Sequence, residues 1–424
     1  MRIRRTLSAT LAVLVPLVGF QPLGMASTST HTATLSGHVR SSGSHHHTIQ
    51  HPVPKQSTSF VNVRSFGAVG DGVIDDTNAI QNAINTAHAT NQGVFFPAGT
   101  YLHANVINAN GVALVGVGGG STLLANNPMG SAVILAGVSP SIQNMVVSSA
   151  LAGSGGFSLT IPALATLAVS GGQNFVVQGV TIIQGTGRIG LTLNQSAVGQ
   201  VSSVTFYGTG GTLDYGVALD QCANVSLVGN LFLNETFAMS LGGLSPFQFL
   251  SQSIAVIGNT MKNCANAGII ASDVNVVDIA QNQVELGNNS AVGISVIGCN
   301  TYTVSQNNTF NGLGGISVLN LAGFTGIVSQ NVFQTCASSG AFIHTVGPGG
   351  TFQFTGNQFG ECGLTTANPV ISVINAGGPD SVILLNNVYE GHANMLTFYI
   401  SSTAHINLVS GNAQTQTTLA NNIP

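Results

Sequence analysis

Charged side chains are scarce in this sequence. Only 5% of its 424 residues are Asp, Glu, Lys or Arg, whereas about 25% is ordinary for a soluble domain. Three of the eight basic residues (Arg2, Arg4 and Arg5) lie at the extreme N terminus. Without clustered Lys and Arg, the chain lacks the groups that neutralise phosphates, so the sequence argues against nucleic-acid binding and against attachment to anionic membranes. Its 44% hydrophobic content argues against disorder caused by charge repulsion.

Long hydrophobic runs are also missing after the first 26 residues. The N-terminal run, Leu7 to Phe20, is interrupted by Pro16 and is shorter than a membrane span requires. Basic residues precede this run and small residues follow it, so we predict a signal peptide over 1–26 and a secreted protein, extracellular or on the cell surface, with no membrane span after cleavage. Residues 27–59 are rich in Ser, Thr and His, which predicts a flexible linker.

The folded part, residues 60–424, begins with a compact pattern over 60–102. Phe60-Val-Asn-Val is followed by a Gly-rich turn, by Asp75-Asp76, and by apolar residues at helical spacing up to Ala87. The sequence Gly93-Val-Phe-Phe-Pro and then Thr100-Tyr-Leu predicts further strands. Carboxylates at the start of a helix accept hydrogen bonds from its free N–H groups, so we interpret Asp75 and Asp76 as helix-capping residues.

This segment resembles the N-terminal part of the pectate-lyase superfamily, which includes rhamnogalacturonase-like and polygalacturonase-like enzymes, some β-1,3-glucanases and phage tail-spike proteins. The resemblance implies an all-β, single-stranded right-handed parallel β-helix with a short N-terminal capping helix, in which Asp71, Asp75 and Asp76 have structural roles. Polygalacturonase-like enzymes carry Asn-Thr-Asp, Asp-Asp, Gly-His-Gly and Arg-Ile-Lys motifs. None of these occurs after residue 102, so the resemblance assigns no catalytic residue.

The remainder of the chain repeats a unit in which an Asn is followed, two positions later, by a large apolar residue. Copies begin at Asn144, Asn230, Asn259, Asn282, Asn308, Asn331, Asn357 and Asn387, with degenerate copies at Val180 and Val204. A period in the twenties with short alternating strands is typical of a solenoid, in which neighbouring turns stack into one core. We expect ten to twelve turns, with Asn side chains forming a ladder and adopting left-handed turn conformations.

The five cysteines contain no Cys-x-x-Cys pair, so no zinc site is predicted. Cys264, Cys336 and Cys362 each follow a repeat Asn by five residues and therefore share one column. Because Cys336 and Cys362 stand on adjacent turns, two alternatives are open: a disulfide across the turns, or an inward stack of reduced thiols.

Three aspartates form the best candidate for chemistry. Asp214 and Asp220 flank one strand, and Asp273 follows the equivalent strand two turns later. Two strand spacings place Asp220 and Asp273 about 9–10 Å apart, near the carboxyl separation of an inverting glycosidase. One would act as general acid and the other as general base, while Tyr207 and Tyr215 would line a sugar subsite. The alternative is that these aspartates only terminate strands.

Two further hypotheses involve other residues. A polysaccharide lyase needs a base, for which Arg188 and Lys262 are the candidates, and carboxylates that hold Ca²⁺. Lys262 also stands one turn from Glu285, which predicts an exposed ion pair. His344 is expected on the outside, beside Ser317 and Ser372, where a Ser–His hydrolase is conceivable; a lone surface histidine is the alternative.

Taken together, these patterns predict a secreted carbohydrate-active β-helix protein, most simply a glycoside hydrolase acting on an extracellular polysaccharide. The alternatives are a non-catalytic glycan-binding or structural surface protein and, third, a polysaccharide lyase. The sequence leaves open whether the protein is an enzyme. No metal or cofactor is expected apart from Ca²⁺ under the lyase hypothesis, and the expected partner is a polysaccharide.

Overall fold

The computed structural model describes residues 59–127, 130–151, 165–211, 214–242, 251–287, 291–320, 323–338, 340–345, 350–362, 371–375, 381–390, 397–400, 405–410 and 418–420. The predicted signal peptide and nearly all of the predicted linker lie outside these residues. Within them, no helix is long and apolar enough to span a bilayer.

Short parallel strands make up most of the described chain. The strands before the middle of the chain are β1 Phe60–Asn62, β2 Asp71–Asp75, β3 Gly93–Phe95, β4 Gly99–His103, β5 Ile107–Asn110, β6 Ala113–Val115, β7 Ser121–Ala125, β8 Val133–Val138, β9 Ser141–Gln143, β10 Val146–Ser148, β11 Ala165–Gln173, β12 Val176–Gln178, β13 Thr181–Ile183, β14 Ile189–Asn194, β15 Ala197–Ser202, β16 Thr205–Tyr207, β17 Tyr215–Asp220, β18 Ala223–Val228, β19 Leu231–Leu233 and β20 Phe237–Leu241.

The later strands follow the same pattern. They are β21 Ser251–Ile257, β22 Thr260–Cys264, β23 Ala267–Ser272, β24 Val274–Ala280, β25 Gln283–Leu286, β26 Val292–Ile297, β27 Thr301–Ser305, β28 Asn308–Phe310, β29 Gly314–Asn320, β30 Thr325–Ser329, β31 Val332–Gln334, β32 Ala341–Thr345, β33 Thr351–Thr355, β34 Gln358–Gly360, β35 Ile371–Asn375, β36 Ser381–Leu385, β37 Val388–Glu390, β38 Thr397–Ile400, β39 His405–Ser410 and β40 Thr418–Ala420.

These strands wind into a right-handed parallel β-helix, as predicted. Each complete turn contributes one short strand to a 13-stranded sheet and two strands to a 27-stranded sheet. One such turn consists of β14, β15 and β16. Side chains alternate along every strand, so one column faces inward across successive turns, as Leu193, Leu219 and Leu241 do. The buried columns pack into one continuous core, in which Phe206 stacks on Phe232 with ring centroids 4.5 Å apart.

A buried asparagine ladder runs along one corner of the solenoid. Each side-chain amide donates to the side-chain oxygen of the next, at 2.9–3.0 Å, through Asn230, Asn259, Asn282, Asn307, Asn331, Asn357 and Asn387. The ladder was predicted, but the sequence placed one member wrongly: Asn307 belongs to it, and Asn308 lies in β28. In that turn the inward residue is therefore Thr309 rather than Phe310.

The left-handed conformation belongs to the residue before the ladder, contrary to the expectation that the ladder asparagines adopt it. Gln281, Gln306 and Gln330 have φ near +57° and each precedes a ladder Asn. Asn144 occupies this left-handed column, with φ of +53°, and Met145 takes the place of the Asn, since Thr181 N–H donates to its carbonyl. The sequence repeat at Asn144 was therefore also displaced by one residue.

Among the described residues, the helical elements are one α-helix near the N terminus and two 3₁₀ turns, Val63–Phe66 and Gly118–Gly120. Helix α1 spans Thr77–Thr90 and buries Ile80, Ala83, Ile84 and Ala87. At its start, Asp75 accepts a hydrogen bond from Thr77 N–H at 3.0 Å, as predicted. The Asp76 carboxylate makes no cap and instead accepts from Val69 and Gly70 N–H groups.

The five cysteines are all buried and free. Of the two alternatives, the inward stack of reduced thiols is therefore the one observed. Hydrogen bonding between the Cys336 and Cys362 thiols, together with burial, raises the pKa of Cys336. Burial also raises the pKa of Cys264 to about 12.

Candidate functional site

The predicted catalytic residues lie around the outward side of β14, β17, β20 and β23, a surface that we call the outer face. Asp220 ends β17, and its half-buried side chain points outward because the preceding Leu219 packs in the core. One of its carboxylate oxygens is buried without a hydrogen-bond partner. Burial raises the pKa of Asp220, and hydrogen bonding from Gln221 offsets part of the shift. The carboxyl group therefore keeps its proton to a higher pH than a solvated aspartate does.

Asp273 lies two turns from Asp220, at the same end of the sheet. The pairing of Leu219 with Leu241 and of Leu241 with Ala271 aligns Asp220 with Ser272, so Asp273 stands one residue further on. It is buried and left-handed, with φ of +53°. Its main-chain N–H donates to Ile297 O at 2.9 Å.

Glycine occupies the turn between the two aspartates. Gly242 follows Leu241 as Asp220 follows Leu219, and has φ of +98°. A Cβ atom at this position would lie 1.8 Å from Ser272 O. The position thus tolerates no side chain, so Gly242 itself places none between the two carboxylates.

Tyr215, a predicted sugar-binding residue, begins β17 and stacks on Phe237 of the next turn with ring centroids 4.6 Å apart. It packs with Ile134 and Ala218 against a small second apolar cluster outside the main core. Burial raises the pKa of its phenol. Phe237 was not anticipated from the sequence, although its place one turn after Tyr215 is visible in the repeat.

Asp214 lies about 20 Å along the strand from Asp220, so the structure does not bring these two carboxylates together. Asp214 is fully buried, and one oxygen accepts hydrogen bonds from Thr209 N–H at 2.9 Å, Gly211 N–H at 2.8 Å and the Thr209 hydroxyl. Its other oxygen has no partner. Asp214 thereby folds the loop 208–211 back over itself.

Glu235 was missed by the sequence analysis and is the residue that the structure places beside Asp214. It lies in the short connection between β19 and β20, is fully buried, and accepts a 2.7 Å hydrogen bond from Gln184 Nε2. Burial, and secondarily the Asp214 charge, raises its pKa well above the usual range. Its one sequence signal is that it is among the few acidic residues of the chain.

Arg188, a candidate base under the lyase hypothesis, is buried. Its Nη1 donates to Gly130 O and its Nη2 to Asn127 O, each at 2.7 Å, and its Nε has no partner. Desolvation lowers its pKa. The guanidinium group therefore ties together main-chain carbonyls of an earlier turn and does not reach the outer face.

Tyr207 and Lys262 lie on the outward side of the 13-stranded sheet, away from the outer face. Tyr207 is 43% exposed. Lys262 and Glu285 are both exposed and stand in register on adjacent turns, and the ion pair between them stays a prediction.

The predicted neighbours of His344 are wrong. It faces outward, but its register partners are Leu319 and Ile374, and Phe342 is the residue between Ser317 and Ser372. His344 therefore stands two residues beyond the serine column, on the same outward side of the strand. Partial burial lowers the pKa of His344, and no carboxylate contact orients it in the part of the chain that the structure describes.

Metal ligands are not clustered in the described ranges, where no group of three or more His, Cys, Asp or Glu side chains could hold an ion. The carboxylates of this region instead form two separate pairs, Asp220 with Asp273 and Asp214 with Glu235. The chemistry that the arrangement permits is proton transfer by carboxyl groups in contrasting environments.

Comparison with known proteins adds the family to this geometry. A mannuronan C5-epimerase of Azotobacter vinelandii is 47% identical over 73 residues, which cover 15% of this chain and 5% of that protein. A glucan 1,3-beta-glucosidase of Cochliobolus carbonum is 45% identical over 51 residues, covering 12% and 6%. The aligned segments thus span about a twentieth of the length of these relatives.

The fold itself is shared more widely. A surface adhesin of Streptococcus pneumoniae superposes with a TM-score of 0.51 at 16% identity, covering 82% of this chain and 93% of the adhesin. Residues 60–295, more than half of the chain, match the profile of the family described as rhamnogalacturonase A/epimerase, pectate lyase-like. Since this match and the parallel β-helix agree, the chain belongs to the rhamnogalacturonase A/epimerase, pectate lyase-like family.

Proposed function

We propose that this protein hydrolyses an extracellular polysaccharide on the outer face, with Asp220 as general acid and Asp273 as general base. The observation that carries the proposal is the pair of carboxylates on alternate turns with Gly242 between them. Two strand spacings with an offset of one residue correspond to about 10 Å between the two main-chain positions. Inverting glycosidases hold their carboxyl groups about 6.5–9.5 Å apart to admit a water molecule.

The environment of Asp220 suits the role of general acid. Burial favours the protonated form of Asp220, which supplies the proton that the departing glycosidic oxygen needs. Asp273 would accept a proton from water as that water attacks the anomeric carbon. The glycosidic carbon–oxygen bond breaks, the leaving sugar keeps the Asp220 proton, and the new bond forms with inverted configuration.

The chemistry of the outer face favours a neutral or weakly charged polymer. Strands β14, β17, β20 and β23 contain no Lys or Arg, so a polyanionic chain would find no counter-charge on them. The Tyr215–Phe237 pair offers an apolar aromatic surface. From Tyr215 to Asp220 the strand extends roughly 16 Å, which is longer than one sugar ring and suits an oligosaccharide segment.

A glycan-binding role without catalysis is the second candidate, supported by a separate feature. Exposed glutamine side chains form a ladder in which Gln281 donates to Gln306 and Gln306 to Gln330, each at 3.1 Å. Such a row repeats amide donors and acceptors at the strand spacing, and sugar hydroxyl groups could pair with them. The lyase hypothesis is weaker, since Arg188 is buried and Lys262 lies on the other sheet.

The test is release of reducing ends from a panel of neutral and uronic-acid polysaccharides, together with ultraviolet absorbance of unsaturated products. Wild type is compared with Asp220→Asn and Asp273→Asn. Glu361→Gln is the matched control, because Glu361 is an exposed carboxylate with φ of +50° in a distant turn. We expect a loss of roughly 100-fold or more in each Asp variant and none in the control.

Other outcomes separate the alternatives. Unsaturated products would identify a lyase. Reducing ends that persist in both Asp variants would remove these residues from the mechanism. A folded protein that cleaves nothing but is retained on a polysaccharide column, and whose retention falls in Gln306→Ala, would support the binding role.

A further inference from the structure

A buried network links Glu235 to the strand that carries Tyr215. Gln184 Nε2 donates to Glu235 Oε1 at 2.7 Å and to the main-chain carbonyl of Tyr215 at 3.3 Å. The three residues come from three successive turns, so the network fixes their relative positions. Gly190 packs against it, since a Cβ there would lie 2.8 Å from Gln184 Nε2. A displacement of Glu235 would therefore be transmitted to Tyr215.

The second oxygen of Glu235 has no hydrogen-bond donor. Oε2 is buried and unpartnered, and the backbone of Gly208 closes over it, because a Cβ at Gly208 would lie 2.7 Å from this oxygen. An ionised carboxylate in such a place would be a buried charge without compensation, which is among the least favourable arrangements in a protein.

No cation of the described residues offsets that charge. The titratable side chains around Glu235 are Asp214 of the preceding turn, Cys264 of the following turn, Tyr215, and Arg188 on the loop that carries Gln184. Asp214 adds a second negative charge, and the Arg188 guanidinium group is directed to the carbonyls of Asn127 and Gly130.

The adjacent loop is held by the same cluster. Asp214 accepts hydrogen bonds from Thr209 and Gly211, the Thr236 hydroxyl donates to Gly211 O, and Phe237 N–H donates to Asp214 O at 3.0 Å. The loop 208–211 thus rests on residues that flank Glu235. Ionising Glu235 beside Asp214 would require water to enter, and this loop and the 234–236 connection are the segments that would have to move.

We propose that Glu235 in its protonated form is a positioning residue, which through Gln184 and Asp214 keeps the loop 208–211 closed and Tyr215 in place. Loss of that proton opens the loop. The effect on sugar binding rests on the proposed function of the outer face, whereas the opening itself does not.

Hydrogen exchange followed by mass spectrometry tests the opening without any substrate. Exchange of the peptide 208–214 is compared with that of the ladder segment 304–310 in the same sample, from about pH 5 to about pH 9, which cancels the intrinsic pH dependence of amide exchange. In wild type we expect the ratio to rise by about tenfold per pH unit once Glu235 ionises. In Glu235→Gln, a neutral isostere, the ratio should stay flat.

Two results would overturn the proposal: a flat wild-type ratio over this range, or the same rise in Glu235→Gln. The wild-type ratio remains informative if that variant does not fold. The effect on sugar binding is measured by the pH dependence of KM. In wild type KM should rise as Glu235 loses its proton, whereas in Glu235→Gln KM should not change with pH in this way. The substitution should leave kcat unaffected. A protein inactive on every polysaccharide would overturn the proposed function and would leave the exchange result to decide the role of Glu235.

Discussion

Asn282 and Asn307 are joined twice across adjacent turns: the main-chain N–H and the side-chain amide of Asn282 both donate to Oδ1 of Asn307, each at 2.9 Å. Asn307 in turn donates to Ile279 O and to Asn331. The Asn307 side chain therefore satisfies buried groups of both the preceding and the following turn.

Removing this side chain should destabilise the solenoid strongly. Asn307→Ala removes the partner of the Asn282 main-chain N–H and of Ile279 O, whereas the Asn282 amide still donates to Val256 O and Ala280 O. At about 1–3 kcal/mol for each unpaired group, we expect a loss of at least about 2 kcal/mol in the free energy of unfolding. Asn308→Ala is the matched control and should lie within about 0.5 kcal/mol of wild type. Guanidinium unfolding followed by circular dichroism measures both, and equal losses in the two variants would contradict the role of the ladder.

Gly242 offers a second paired test. Gly242→Ala forces a side chain into left-handed backbone and against Ser272 O, at 1.8 Å. Gly229→Ala has the same kind of backbone, with φ of +62°, but meets nothing within 4 Å. The left-handed penalty of about 1–2 kcal/mol is common to both, so we expect Gly242→Ala to cost clearly more. Similar unfolding midpoints for the two variants would show that the main chain at Gly242 moves to accept a side chain at little cost in stability.

Acidification should weaken the fold near His103. This side chain is fully buried, its Nδ1 donates to Asn105 O at 2.8 Å, and its Nε2 has no partner. Burial lowers its pKa from the ordinary 6.5. Since the unfolded chain then binds the proton more tightly, stability is complete above about pH 6.5 and is lost as pH falls through the lower folded pKa.

Thermal unfolding from about pH 8 to about pH 5 measures this loss. His103→Asn, which can still donate to Asn105, should flatten the curve in that interval. His344→Gln is the control. Partial burial also lowers the pKa of His344, but the contribution of His344 to the loss of stability should be smaller than that of His103. A wild-type curve that is flat down to pH 5 would contradict the prediction.

The thiols should be unreactive until the protein unfolds. All five are buried, and burial raises the pKa of Cys222 and Cys299, each to about 12. Because the thiolate is the reactive form, a disulfide reagent should titrate almost none in the native state and five in guanidinium. Reductant should leave the melting temperature unchanged; a fall on adding it would reveal a disulfide instead.

The sequence by itself determined the solenoid. Alternation of period two decides which side chains face inward, and a repeat of Asn and an apolar residue can only bury its apolar columns by stacking. The capping carboxylate at Asp75 and the separation of Asp220 and Asp273 by two turns follow from the same local rules. These features depend on residues close in sequence or on counting whole turns.

Register was decided by the tertiary structure where the local pattern is ambiguous. Only Asn308 precedes a large apolar residue by two positions, as the repeat requires, yet the structure packs Thr309 into the core and so places Asn307 in the ladder. His344 lies in the column of Leu319, two residues beyond the serine column, because turns differ in length.

The buried network was also beyond the reach of the sequence. Glu235 and Gln184 are 51 residues apart and belong to connections rather than strands, where no periodicity constrains a side chain. Their contact exists because two turns of the solenoid stack these connections at one corner. Burial there, which depends on every neighbouring turn, sets the protonation of Glu235 and removes Arg188 from the surface.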